Sequence, residues 1–285
     1  MLEIIVHTFI HSIKDNIKLI PFLFFAFLII ELLEHKFSNK TKKIIEKSDK
    51  FGPIVGSLLG VVPQCGFSVV ATNFYITRVI SIGTLVAIYL STSDEMLPIM
   101  ISRGVSFKTI LPILFIKLIV GIIFGFIIDF VIRIKNKNKH YDYHLCEEEH
   151  CDCEHGIVKS SLKHTINTTV FIIIISFIIN LLYEIVGEDF VSKLFMKNNL
   201  FGPFVGSLIG LIPNCASSVL LTELFLNNSI NLGTCVAGLL SGSGVALIVL
   251  FKSNKNIKEN ISILSLLYLL GVLVGIIIEI MGIVL

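Results

Sequence analysis

Charge is scarce in this chain. Of its 285 residues only 15% are Asp, Glu, Lys or Arg. The longest polar insert, roughly residues 133 to 160, is too short and too charged to bury a core of its own. A separate soluble domain is therefore excluded. The net charge of +2 marks out no partner and no basic nucleic-acid face. The first twenty residues lack a charged leader and a small-residue cleavage site, so they are expected to be an amphipathic lead-in to the first span and not a removed signal peptide. No GxxxxGK[ST] phosphate-binding loop occurs. No HExxH helix occurs either, and every His lies outside the span centres, which argues against a membrane-embedded metal-dependent enzyme. What remains is apolar: 54% hydrophobic residues and a mean hydropathy of +0.88 describe an all-α polytopic membrane protein.

One stretch is written twice. FGPIVGSLLGVVPQCGFSVV, from Phe51, is matched without a gap by FGPFVGSLIGLIPNCASSVL, from Phe201, and 21 of the 43 positions from 51 to 93 are identical 150 residues on. Gly52, Gly56 and Gly60, like Gly202, Gly206 and Gly210, stand four apart on one helical face, where another backbone can approach closely. Pro63 and Pro213 then remove an amide donor and break the helix, two residues before Cys65 and Cys215. The arm from 51 to 62 is about 18 Å of helix against a hydrocarbon core about 30 Å thick, too short to cross. Residues 51 to 77 and 201 to 227 are therefore expected to be broken or re-entrant helices with tips part-way into the bilayer, buried in protein or facing a watery cavity.

Periodicity and breaks divide each half into five hydrophobic segments: about 17 to 35, 51 to 62, 65 to 77, 80 to 102 and 109 to 134, then 164 to 184, 201 to 212, 215 to 227, 230 to 251 and 261 to 284. This makes residues 1–139 a first membrane repeat, 140–156 a connecting loop and 157–285 a second repeat. An odd number of segments per half inverts the second copy. With both termini outside, 16 Lys and Arg fall on inside loops and 6 on outside segments, leaving Lys117 within a span, which places the 133 to 163 loop in the cytoplasm.

Asp94 and Glu95 lie mid-segment, where a carboxylate costs about 2.5 to 3.5 kcal/mol, and Ser91, Thr92 and Ser93 add hydroxyls beside them. Pro98 is expected to interrupt the helix just after. The second copy carries Ser241 and Ser243 at matching positions and no carboxylate. The bland alternative is that the acids pair with Arg78, Arg103 or Lys117 to hold the fold. Cys65 and Cys215, flanked by Gln64 and Asn214, add thiols and amide oxygens; thiolates suit soft metals and metalloids, oxygens suit ions like Mn²⁺, and the mixed set selects neither. Taken singly, such a Cys is a small packing residue. Lys117 is mid-span and a counter-charge candidate for Asp94. Glu31, Glu34 and His35 near the end of the first span, and the repeated acids Asp129 and Glu279, are secondary candidates; snorkelling or helix-end pairing explains them as well as ion relay.

The connecting loop packs four of the eight His and three of the six Cys into residues 140 to 155, among them His144, Cys146, His150, Cys151, Cys153 and His155. Reduced cytoplasmic thiols favour metal binding over disulfides, although the spacing fits no structural zinc motif well and a solvated linker is the alternative.

The GxxPQCGFS, Gly83-Thr84-Leu85 and STSDE runs, the PFLF…ELLEH opening from Pro21 to His35 and the His/Cys loop together resemble the ten-span heavy-metal exporter family, described as arsenic efflux or manganese transporter-like permeases. The resemblance implies a bacterial plasma-membrane efflux permease for a metal or metalloid ion, with the lipid bilayer and that ion as partners, a homodimer left open and no covalent cofactor. With no ATP-binding loop, transport would need an ion gradient or a partner ATPase. A permease for a small organic anion or organoarsenical is the competing expectation, with helix N-termini holding the negative group.

Overall fold

The structure is a computed structural model that describes residues 51–62, 65–93, 95–135, 157–186 and 201–283, with nine further positions between Phe9 and Leu28. Among the described residues every regular element is an α-helix. In chain order these are α1 (Gly52–Gly60), α2 (Cys65–Ile76), α3 (Ile82–Ser91), α4 (Met96–Ser102), α5 (Phe107–Lys135), α6 (Ile157–Val186), α7 (Gly202–Gly210), α8 (Cys215–Leu226), α9 (Leu232–Ser241), α10 (Ala246–Ser253) and α11 (Ile257–Met281). Displaced by 150, α7, α8 and α9 superpose residue for residue on the bounds of α1, α2 and α3.

The glycine face seats α1 and α7. A Cβ on Gly210 would stand 2.0 Å from the Gly238 carbonyl oxygen, and one on Gly60 would stand 2.7 Å from the Ile88 carbonyl. Gly202 meets Thr234 at the start of α9 while Gly210 meets Gly238 and Ser241 at its end, so α7 runs parallel to α9. The five residues 227–231 joining α8 to α9 reach at most about 18 Å, less than the roughly 30 Å of a hydrocarbon core. The end of α8 thus lies at the face where α7 and α9 begin, and α7–α8 is a re-entrant hairpin. Gly52 on Thr84 and Gly60 on Ser91 make α1–α2 the same hairpin. Four of the ten hydrophobic segments are therefore hairpin arms.

The 80 to 102 segment is two helices. Its break falls at Thr92 to Glu95, ahead of Pro98, which sits in the first turn of α4, where the missing amide matters little. The matching break at 242–245 carries Gly242 and Gly244, the latter at φ +55°, and needs no proline. Helix α6 begins at Ile157, seven residues before the segment expected from 164, because Ile157 to Lys163 carry no breaker; Lys159 and Lys163 stand on helix, not loop.

Within each copy α3 or α9 is sandwiched between the hairpin's first arm and the long last helix, α5 or α11. Between copies the packing is reciprocal: α2 lies on α10, α8 on α4, and α3 on α9. Such exchange of corresponding surfaces is what a two-fold relation produces. Two ion pairs tie the copies together, Arg78 with Glu259 at 2.9 Å and Arg103 with Glu223 at 2.8 Å. Arg78 and its equivalent Asn228 both take the left-handed backbone conformation that closes a hairpin's second arm, their φ being 59° and 55°. The Glu259 hydrogen bonds push the Arg78 guanidinium still further above its ordinary pKa.

Candidate functional site

Proline explains the tip of the second hairpin. Pro213 cannot continue α7, and Asn214, in extended conformation, caps α8 with its side-chain oxygen accepting from Ala216 N at 3.5 Å. One turn further, the Ser217 hydroxyl donates to the Asn214 carbonyl and the Ser218 hydroxyl to that of Cys215, each at 2.8 Å. These residues face the break of α9, and together Asn214, Ser217, Ser218, Gly238, Gly242 and Gly244 wall a small hollow with room for about one water-sized body. The first copy closes it with Thr92 and Ser93, and Leu239 completes the lining.

The chemistry of that lining is consistent. The Thr92 hydroxyl donates to the Ile88 carbonyl at 2.7 Å and the Ser93 hydroxyl to that of Ser91 at 3.2 Å. With Ser217 and Ser218 this makes four hydroxyls whose protons are spent on backbone, leaving oxygen lone pairs for a guest. The Ser243 hydroxyl, fully buried between Gly242 and Gly244, has no hydrogen-bond partner among the described residues. Behind the lining, Lys117 is wholly buried and its Nζ donates to the Thr92 carbonyl and, at 2.7 Å, to that of Leu239.

Several sequence candidates stand elsewhere. Ser91 and Ser241 are buried in the seams between α3 and α1 and between α9 and α7; Ser241 donates to the Ser207 carbonyl at 2.9 Å. Glu95 is half-buried at the start of α4 and is not part of the lining. Cys215 is half-buried beside Asn214 and is not among the residues that line the hollow. No group of three or more His, Cys, Asp or Glu converges among the described residues. Gln64, Asp94, the Cys65 side chain, Glu31, Glu34, His35 and the loop residues His144, Cys146, His150, Cys151, Cys153 and His155 lie outside them.

Asp129 and Glu279 hold helix starts. Asp129 accepts from Gly83 N at 2.9 Å and from the Ser81 hydroxyl at 2.7 Å, where α3 begins. Glu279 accepts from Asn231 at 3.1 Å and from Thr234 at 3.2 Å, where α9 begins. Each carboxylate faces the positive end of a helix dipole. Sequence reasoning missed Glu223 and Glu259, the partners of Arg103 and Arg78; an acid inside the apolar run 215 to 227 was the available signal for Glu223. It also missed Ser217 and Ser218, signalled by hydroxyls one turn beyond the tip.

Apolar helices long enough to span a bilayer, re-entrant hairpins between them and a polar hollow where the breaks meet define a polytopic α-helical membrane protein. Residues 5–186 match the ArsP_2 family, described as "Putative, 10TM heavy-metal exporter", and the chain belongs to that family. It is thereby a multi-pass membrane protein of metal efflux. No curated protein and no solved structure matches the chain.

Proposed function

We propose that the chain is a secondary permease that exports a metal or metalloid ion, of the Mn²⁺-like or arsenite class, by alternating access around the hollow between its two copies. The observation that carries this reading is the convergence of a hairpin tip and two helix breaks on one hollow lined by hydroxyl-bearing residues. Asp94, Glu95, Gln64, Cys65 and Cys215 are proposed to join that lining as the copies rock.

The copies are proposed to be inverted. Arg78 follows α2, as Asn228 follows α8 beside the start of α9, yet Arg78 pairs with Glu259 beyond the far end of α10. If 232–253 crosses the bilayer, as its length and apolarity allow, equivalent turns lie at opposite faces. The Lys and Arg distribution then supports termini outside and the 140–156 loop in the cytoplasm, where its His and Cys would capture metal.

The second reading, a permease for an organic anion or organoarsenical, draws on the buried ammonium of Lys117 and the N-terminus of α8 at the hollow. Efflux from proteoliposomes loaded with Mn²⁺, arsenite or methylarsonate separates the readings. Saturable efflux of Mn²⁺ or arsenite that drops at least tenfold in Asp94→Asn and Ser217→Ala is expected; efflux of methylarsonate alone favours the second reading, and movement of none of the three sinks both.

A further inference from the structure

Lys117 is the one fully buried cation among the described residues, and the metal-export reading assigns it no work. Its surroundings are specific. Thr92 is the C-cap residue of α3, and Leu239 lies in the last turn of α9, so both carbonyls that receive its protons belong to the group that a helix leaves without an intrahelical partner. Both stand at the negative ends of helix dipoles. One comes from each copy, so the ammonium clasps the two broken helices together at the depth where they break.

Carbonyls at the C-terminal ends of interrupted helices are the ligands that transporters present to a coupling cation at the membrane midplane. A charge at that depth is costly unless such groups offset it. The equivalent position of the second copy is Leu267, fully buried and apolar, so this cation is supplied on one side of the pseudo-symmetric pair only.

We propose that the Lys117 ammonium is a tethered occupant of a monovalent-cation site built from the Thr92 and Leu239 carbonyls, standing where a coupling sodium ion would otherwise sit. The transport cycle then does not depend on sodium, and removing the amine opens a site for a free Na⁺ or K⁺. This rests on the permease reading for its meaning but not for its test.

The test is thermal unfolding of the full-length protein in detergent with 100 mM NaCl, KCl or choline chloride. The wild type is expected to melt alike in all three. Lys117→Ala is expected to melt lower in choline and to gain about 3 °C or more in Na⁺ or K⁺, because a ligand that binds only the folded state raises its stability. Lys117→Met, closer in volume, serves if the alanine variant does not fold, and Lys117→Arg, which keeps a cation, is expected to show no ion response. Stabilisation of the wild type by Na⁺, or of neither amine-free variant by Na⁺ or K⁺, overturns the assignment. So does wild-type efflux that follows an imposed sodium gradient, a measurement that does not need either variant to fold. Because the melting readout senses binding alone, a chain that moves none of the three cargoes but acquires a cation response on loss of the amine sinks the permease reading and keeps this one.

Discussion

Asp129 shows how one residue can be read two ways until its partners are known. A carboxylate inside an apolar segment, repeated at Glu279, has the signature of an ion relay. Its carboxylate accepts from a backbone amide and a capping hydroxyl at the start of α3. Asp129→Asn is therefore expected to lower stability by about 1 kcal/mol, seen as a fall in melting temperature, with efflux by the folded protein unchanged. Loss of efflux at an unaltered melting temperature would restore the relay. The recurrence of the acid was visible in the sequence. Its job was not, because Ser81 and Gly83 lie 48 and 46 residues away from it and nothing local marks them as partners.

Among the elements, the hairpins depend on backbone proximity more than on apolar burial. Lipid tails are as apolar as the side chains, so close contact between α7 and α9 supplies the attraction that water would otherwise drive. Gly210→Ala puts a methyl group against the Gly238 carbonyl and is expected to cost about 1–3 kcal/mol, measured as a lower midpoint in thermal unfolding. Leu208→Ala, on the exposed side of the same helix, is expected to change the midpoint by less than about 0.5 kcal/mol; equal effects would contradict the packing described. The glycine spacing and the prolines made this element legible in advance. The break after α3 is expected at Pro98 and lies ahead of it, between Ser91 and Met96, because a proline in a first turn ends nothing.

At the scale of the whole molecule, sidedness is the decisive property. In a background without native cysteines, Val79→Cys and Ser229→Cys occupy equivalent turns, and inverted copies require a membrane-impermeant maleimide to reach them from opposite faces of the bilayer. Phe201→Cys must react from the same face as Ser229→Cys, since the hairpin returns to where it entered. Labelling of 79 and 229 from one face would mean parallel copies and would remove the basis for alternating access.

Duplication, membrane residence and the breaks at the hairpin tips follow from the sequence by itself, since proline, glycine period and apolar run length act over a few residues and leave local marks. The tertiary structure alone decided that the short arms turn back, that Asp129 and Glu279 cap helices, and that Ser217, Ser218 and Gly242 share a hollow with Thr92 and Ser93. Those outcomes depend on which faces of distant helices pack together. A side chain such as Lys117 finds its partners, 25 and 122 residues away, only once both copies are assembled.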